Sequence, residues 1–423
     1  MSDKTGLHLE TLAITHGYDP KSGQGAAKPP IYATSTFVYR SAQQAKDIHE
    51  AFFDGPESAG ARRLAGEPQA YIYGRLGHPN LTMVEARLAA LDGAEAAAVF
   101  NSGMATHSAI ALAHLRPGDS VVFSRPIYGG TNGLLTQFMP NFDVRPFAFT
   151  DGCDRADIER SVESALVAGP LKLIVIETPA NPTAAMVDIA LVVEIADAIG
   201  TRTGTRPLVV VDNTLLGPLM QRPIALGVDL CMTSLTKYCG GHSDLLAGGV
   251  SGRGDLIHAL RLLRTTLGSH LDPYTSWLLL RSMETVHLRM ERASTNARRV
   301  AEALGDHPKV AGITYLGFLE GGSPERAVYD RQCTGAGSTF SFALHGGEAE
   351  AFRFLDALRL LSFAVSLGGS ETLITHPATT THYSLSPDER AAGGITDSTL
   401  RLSVGIEHGD DLIADITRAL EAV

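Results

Sequence analysis

A chain of 423 residues, 44% of them hydrophobic, is long enough for two or three domains and a large buried core. Its 35 basic and 46 acidic side chains leave a formal charge of −11 with no Lys/Arg block, which argues against a nucleic acid or an anionic membrane as partner. Cys153, Cys231, Cys239 and Cys333 form neither a C-x-x-C pair nor a zinc spacing, the first residues lack a basic-then-apolar export signal, and no long apolar run follows, so a cytoplasmic, metal-free protein with reduced thiols and no membrane span is expected.

Residues 1–70 carry no sustained helical or strand period. Within them, 29–37 is a proline-led extended segment, and the Gly- and Pro-rich stretch 54–70, with Arg62 and Arg63, reads as a loop set into an arm. Beyond Tyr73 and Arg75, apolar residues at Leu81, Val84, Leu88 and Leu91 predict a helix over 79–91. A short apolar strand at 96–100 then breaks at Asn101, Ser102, Gly103 and Met104 before a helix that reaches Leu115. A strand, a small-residue turn and a helix start make an anion site, because unpaired backbone N–H groups and the helix dipole both favour a phosphate there. Neither nucleotide fingerprint, G-x-G-x-x-G or G-x-x-x-x-G-K-[ST], occurs in the chain.

Strands predicted at 120–124, 143–149, 171–177, 208–212 and 229–233 alternate with segments of helical length, as in a mostly parallel sheet covered on both faces. Ligand-binding groups of such sheets gather at the carboxyl ends of the strands. Tyr128, Asn181, Asp212 and Lys237 all follow strand ends. The run from Leu208 to Val211 ends in Asp212, followed by Asn213 and Thr214; the carboxylate is either a helix cap or the partner of a protonated pyridine nitrogen. Lys237 follows Ser234 and Thr236 and precedes Gly240 and Gly241. On its own it could be a surface lysine closing a strand, but the setting also suits a lysine carrying a carbonyl cofactor whose phosphate accepts bonds from the hydroxyls. Pyridoxal phosphate fits the lysine, the carboxylate and the anion site together.

From 272 to 304 the apolar spacing predicts one long helix. A strand at 338–344, a helix at 348–358, a strand at 399–404 and a helix at 410–422 then outline a smaller α+β unit. Arg401 alternates with Leu400 and Leu402, so its guanidinium faces one side of its strand. It is either a surface arginine on an edge strand or a bidentate grip for a substrate α-carboxylate.

Asp212 to Thr214, the Ser234, Thr236 and Lys237 set, Tyr73 with Arg75, Ser102 to Met104, and Arg401 to Gly405 together resemble the Cys/Met-metabolism, or trans-sulfuration, family of pyridoxal phosphate enzymes. The match runs in family order from about residue 28 onward. The resemblance implies an α/β fold of the PLP-dependent transferase type, like the aspartate aminotransferases (type I). Its expected parts are an arm and loop at 1–70, a large cofactor-binding domain at 71–280 with a seven-stranded, mostly parallel sheet, and an α+β domain at 281–423.

By the same resemblance, Ser102, Gly103, Met104, Ser234 and Thr236 hold the cofactor phosphate, aided by Tyr73 and Arg75 from a neighbouring subunit. Tyr128 stacks on the ring, Asp212 and Thr214 serve its nitrogen side, and Asn181 bonds its phenolic oxygen. Lys237 carries the cofactor and moves protons, while Tyr128 assists departure of the γ-substituent. Arg401, Ser366, Val365 and Asn181 line the substrate side. A homotetramer built from dimers with shared active sites is implied.

Val365 stands where cystathionine-handling members carry a glutamate; read as a buried apolar residue, it points to a substrate with an uncharged γ-group. Gly130 occupies a position where methionine γ-lyases carry a cysteine, and the segment 374–382 is similar to the homoserine-ester sulfhydrylases. The expected reaction is γ-elimination from methionine-like thioethers. γ-Replacement on an O-acylhomoserine is the alternative, and a non-catalytic cofactor-binding protein a minor one.

Overall fold

Seven strands form the larger sheet of the computed structural model, which describes residues 6–21, 23–67, 69–383 and 385–423. They are β1 Ala96–Phe100, β2 Ser120–Ser124, β3 Arg145–Phe149, β4 Leu171–Glu177, β5 Leu208–Asp212, β6 Leu230–Thr233 and β7 Gly248–Gly252. The spatial order is β1-β7-β6-β5-β4-β2-β3. β7 runs antiparallel to both its neighbours and every other pair is parallel, so the expected α/β class with a mostly parallel sheet is what the chain adopts.

The β-branched runs of β4 and β5 have no solvent face, as parallel strands covered by helices require. On one side Val210, Leu230 and Met232 pack with Ile110 and Leu260 of the helices Gly103–His114 and Gly254–Leu267. On the other, Ile174, Ile176, Val209 and Val211 pack with Ile158 and Ile195 of the helices Arg155–Ala168 and Ile189–Thr203. Register places Glu177 beside Asp212, and Asp212 beside Met232.

β7 is absent from the sequence-based expectation because three of its five residues are glycine. Close packing demands them: a Cβ on Gly248 would lie 2.3 Å from the carbonyl oxygen of Ser102, and one on Gly249 would lie 2.5 Å from Leu88 Cδ2. The helix start at Ser102 is thus seated directly on this strand.

Two further expectations need correction. The region 6–70 is not free of helices: Leu9–Thr15, Ala42–Phe53 and, within the predicted loop, Ala59–Arg63 are helical. Their apolar stripes are too short to show a period; Ala42–Phe53 buries only Asp47 and Ile48 and is held by Arg63, which reaches Asp47 and Glu50. The expected absence of an export signal at residues 1–5 lies outside the described residues. The long helix over 272–304 is two helices, Pro273–Met283 and Val286–Gly305. At the break, the Arg289 guanidinium donates to the carbonyl of Ser282 (2.7 Å), replacing an N–H donor that the interrupted helix lacks, and to that of Tyr238 (2.6 Å) beyond β6.

The second sheet contains β8 Val310–Thr314, β9 Thr339–Leu344, β10 Ser362–Phe363, β11 Leu373–Thr375 and β12 Thr399–Ser403, in the order β10-β11-β12-β9-β8. Its core joins Phe340, Phe342, Leu400 and Leu402 to Phe354 and Leu412 of the helices Glu348–Ala357 and Gly409–Leu420. β12 is the central strand, so Arg401 is not a surface residue on an edge. Among the described residues no helix is long and apolar enough to cross a membrane, and no group of three or more His, Cys, Asp or Glu is placed to hold a metal.

Candidate active site

The carboxyl ends of β4, β5 and β6, the start of the helix Gly103–His114 and the inner face of β12 enclose a cavity of about 520 Å³. At one end Ser102 caps the helix, its hydroxyl accepting from Ala105 N–H at 3.1 Å. The N–H groups of Gly103 and Met104 have no acceptor within the helix, and both residues line the cavity. A Cβ on Gly103 would lie 3.1 Å from Ser234 Oγ, so the hydroxyl following β6 stands directly beside the helix start. Thr236 also lines the cavity, but its hydroxyl donates to Ala247 O (3.1 Å) and accepts from Ala247 N–H (3.0 Å).

In the middle lies Asp212, buried. Its Oδ1 accepts from Thr214 N–H (3.0 Å) and Thr214 Oγ1 (2.6 Å), and its Oδ2 lies 3.0 Å from His107 Nε2. Thr214 Oγ1 in turn accepts from Ser234 N–H at 2.9 Å. Tyr128 forms an adjoining wall. Gly130 leaves room for it, since a Cβ there would lie 2.7 Å from Tyr128 Cε1 and 2.8 Å from Met104 Sδ.

Lys237 Nζ donates to Ser366 Oγ at 2.9 Å. Burial, and then the nearby Arg401 charge, lower its pKa to about 8. Arg401, at 3% exposure, donates from Nη1 to Asn181 Oδ1 (3.0 Å) and from Nη2 to Ser366 O (2.6 Å); burial lowers its pKa to about 10. Its Nε is buried without a partner, an arrangement costly for an arginine unless an anion engages the guanidinium. Ser366 sits at φ +113°, a strained value for a residue with a side chain, and there it touches both Lys237 and Arg401.

Sequence reasoning assigned no role to two residues, one of them already at a strand end expected to bind ligand. His107 lies one turn into the helix and Glu177 ends β4; both line the cavity. Burial first, and then the neighbouring Asp212 charge, raise the Glu177 pKa, while the N–H bonds from Asn181 and Tyr128 and the Arg401 charge pull it back down. The available signal was a lone histidine on an apolar helix and a carboxylate closing a buried strand.

One predicted residue is placed otherwise than expected. Val365 is not buried: it lines the cavity but is 58% exposed, on a rim it shares with exposed Leu246. Burial of a residue outside regular structure depends on which elements cover it, which local sequence does not record. Tyr73 and Arg75, expected to serve a neighbouring subunit, do not line this chain's own cavity. They border a separate recess with Ser35 and His270, where Arg75 Nη1 donates to Thr265 O at 2.6 Å.

A second cavity of about 520 Å³ lies between the helix Ala42–Phe53 and the helices Pro79–Asp92 and Gly254–Leu267. Its buried charged groups already pair with one another, Glu85 lying 2.6 Å from Arg264 and 2.8 Å from Arg261.

A lysine of lowered basicity, a buried carboxylate, a helix start with open N–H groups and an arginine with a spare donor converge on one cavity. They fit pyridoxal phosphate and an amino acid, and on this fold they define a pyridoxal phosphate enzyme. Residues 10–421 match the family described as Cys/Met metabolism PLP-dependent enzyme, and the chain belongs to that family. It is 38% identical to an L-methionine gamma-lyase of Pseudomonas deceptionensis over the whole of both chains. It is also 35% identical to an O-succinylhomoserine sulfhydrylase of Pseudomonas aeruginosa, covering 100% of this chain and 97% of that one. A cystathionine gamma synthase structure from Xanthomonas oryzae pv. oryzae superposes with a TM-score of 0.86 at 34% identity, covering 99% of each chain.

Proposed function

We propose that this enzyme cleaves the Cγ–S bond of methionine-like thioethers by γ-elimination. The observation that carries this reading is the uncharged rim of the cavity. Val365 and Leu246 stand there, and among the described residues the only carboxylates lining the cavity, Glu177 and Asp212, lie at strand ends and are already hydrogen-bonded. A substrate with a distal ammonium finds no partner at that rim. Full-length similarity to L-methionine gamma-lyases supports the same reading.

Pyridoxal phosphate supplies an electron sink that loosens the protons on the substrate's α and β carbons. In this reading Gly103 and Met104 N–H, the Ser102 turn and Ser234 hold its phosphate, with Thr236 joining them by turning its hydroxyl proton away from Ala247 O, while Asp212, fixed by Thr214 and His107, serves its ring nitrogen. Arg401 and Asn181 orient the α-carboxylate. Lys237, whose lowered pKa leaves part of it neutral near pH 7, accepts the Cα proton at Nζ and carries it onward, with Ser366 holding the amine in place. Tyr128 donates a proton to the departing sulfur. Tyr73 and Arg75 complete the phosphate site of a neighbouring subunit in a cytoplasmic homotetramer built from dimers, whose chains divide at about residues 70 and 280.

The test is to incubate the purified enzyme with methionine, O-acetylhomoserine and O-succinylhomoserine, with and without cysteine or sulfide, and to identify products by mass. Methionine should yield methanethiol, ammonia and 2-oxobutanoate. Faster formation of a new thioether or thiol amino acid from an ester would instead establish γ-replacement. Thr380 and Thr381, polar groups lining the cavity, are what that second reading has in its favour.

A further inference from the structure

We infer that Glu177 is a positioning residue, a buried carboxylate that clamps the Tyr128 loop and the Asn181–Arg401 pair to the same strand end. The clamp would fix the spacing between the group that serves the γ-substituent and the group that grips the α-carboxylate. This rests on the roles proposed above for Tyr128 and Arg401.

Glu177 is the last residue of β4 and is 4% exposed. Its own N–H donates to Ser124 Oγ at the end of β2, at 3.1 Å, so its backbone is anchored on both sides within the sheet. Its two oxygens diverge: Oε2 accepts from Tyr128 N–H at 2.5 Å and Oε1 from Asn181 N–H at 2.8 Å. Asn181 passes the constraint on, since its Oδ1 accepts from Arg401 Nη1. Tyr128 itself caps the short helix Gly129–Gly133 with no side-chain cap bond and is 41% exposed, although its neighbour Ile127 is buried, so the Glu177 bond is the contact that fixes the Tyr128 backbone at the strand end.

A carboxylate is the side chain this geometry calls for, because two N–H donors approach opposite oxygens and an amide could accept only one of them. The charges facing it are Asp212, which opposes its ionisation, and Arg401, which favours it. A second carboxylate beside Asp212 is electrostatically unfavourable, and the two N–H bonds are what the arrangement gains in return.

Glu177→Gln holoenzyme tests the clamp. Glycine, which has an α-carboxylate but no γ-group, probes the Arg401 limb through the shift it causes in the cofactor absorbance. The Tyr128 limb is read as the ratio of γ-elimination to α-proton exchange with solvent deuterium, using whichever substrate turns over in the product screen. The amide's NH₂ would face one of the two N–H donors, so at least one limb loses its anchor. A glycine dissociation constant raised at least about tenfold, or an elimination-to-exchange ratio lowered at least about tenfold, is expected, with cofactor content and unfolding midpoint near wild type.

Glycine binding and ratio both within twofold of wild type would overturn the clamp. If methionine is not a substrate but glycine binding still weakens, the substrate reading fails and the clamp stands. Should the variant not fold, amide hydrogen exchange of the wild type decides. Tyr128 and Asn181 amides should exchange as slowly as those of β4, and a Tyr128 amide exchanging at the rate of an open loop refutes the proposal.

Discussion

At the scale of single residues, Lys237 combines burial, a lowered pKa and one hydrogen bond to a strained serine. Lys237→Ala should remain folded and hold pyridoxal phosphate without a covalent bond, since Asp212, Ser234 and the helix start are untouched. Turnover should fall by at least ~10²-fold. Persistence of the absorbance band of a lysine-bound cofactor in that variant would mean that another lysine is the reactive one. Val365 leads to a milder expectation than a buried side chain would. At 58% exposure a new carboxylate there keeps much of its water, so Val365→Glu should raise kcat/KM for cystathionine relative to methionine by only about fivefold, or ~1 kcal/mol. Steady-state kinetics with both substrates at one pH would show it, and an unchanged ratio would remove Val365 from the specificity argument.

Residues were legible in the sequence where position along a strand decides the outcome. Asp212, Asn181 and Lys237 end or follow buried runs, and Arg401 alternates with leucines, so each could be placed before any contact was known. His107 was not legible because its partner Asp212 is 105 residues away. Glu177 was placed at a strand end but given no role for a related reason: its two donors lie on loops 49 and 4 residues away, and only the folded chain brings both to one carboxylate.

At the scale of elements, β7 brings Ser251 Oγ to 2.5 Å from the Oδ2 of Asp92, at the end of the helix Pro79–Asp92. The other Asp92 oxygen is buried without a partner, and burial lifts the pKa to about 7. The folded chain therefore keeps a proton that the unfolded chain releases near the ordinary carboxylate value. This contribution to stability is full below about pH 4 and is lost as pH rises toward 7. Asp92→Asn has no such proton to lose, so its stability relative to wild type should increase from pH 5 to pH 8, by at most ~3 kcal/mol for a shift of this size. Denaturant titrations of both proteins at the two pH values and one protomer concentration check it; parallel pH trends would contradict it. The same strand shows why element reading fell short. Glycine is a poor strand former by composition, and only the close seats against Ser102 and Leu88 explain why β7 has it.

At the scale of the whole molecule, the placement of Tyr73 and Arg75 outside the Lys237 cavity bears on assembly. If they complete a neighbour's site, a dimer mixed from Arg75→Ala and Lys237→Ala chains has one site with both defects and one with neither. Activity should therefore reappear when two inactive variants exchange subunits. No recovery after demonstrated exchange would count against sharing. Alternation of strands and helix-length segments made the larger sheet readable at this scale, whereas the smaller sheet was seen only in part. Short strands such as Ser362–Phe363 and Leu373–Thr375 are too brief to carry a period, and they become strands by pairing with distant chain.

The seat of Ser102 on β7 also bears on the order in which the protein is made. β1 stands at the edge of the larger sheet with β7 as its one neighbour, and Phe100 pairs with Gly248. During synthesis the chain emerges amino end first, so β1 and the turn that begins the phosphate site leave the ribosome long before their support. Contacts so far apart in sequence close slowly. A nascent chain that has not reached residue 252 would have β5 with Asp212 and even Lys237, yet no floor beneath the helix start, and cofactor capture would have to wait for that last strand to slide between β1 and β6.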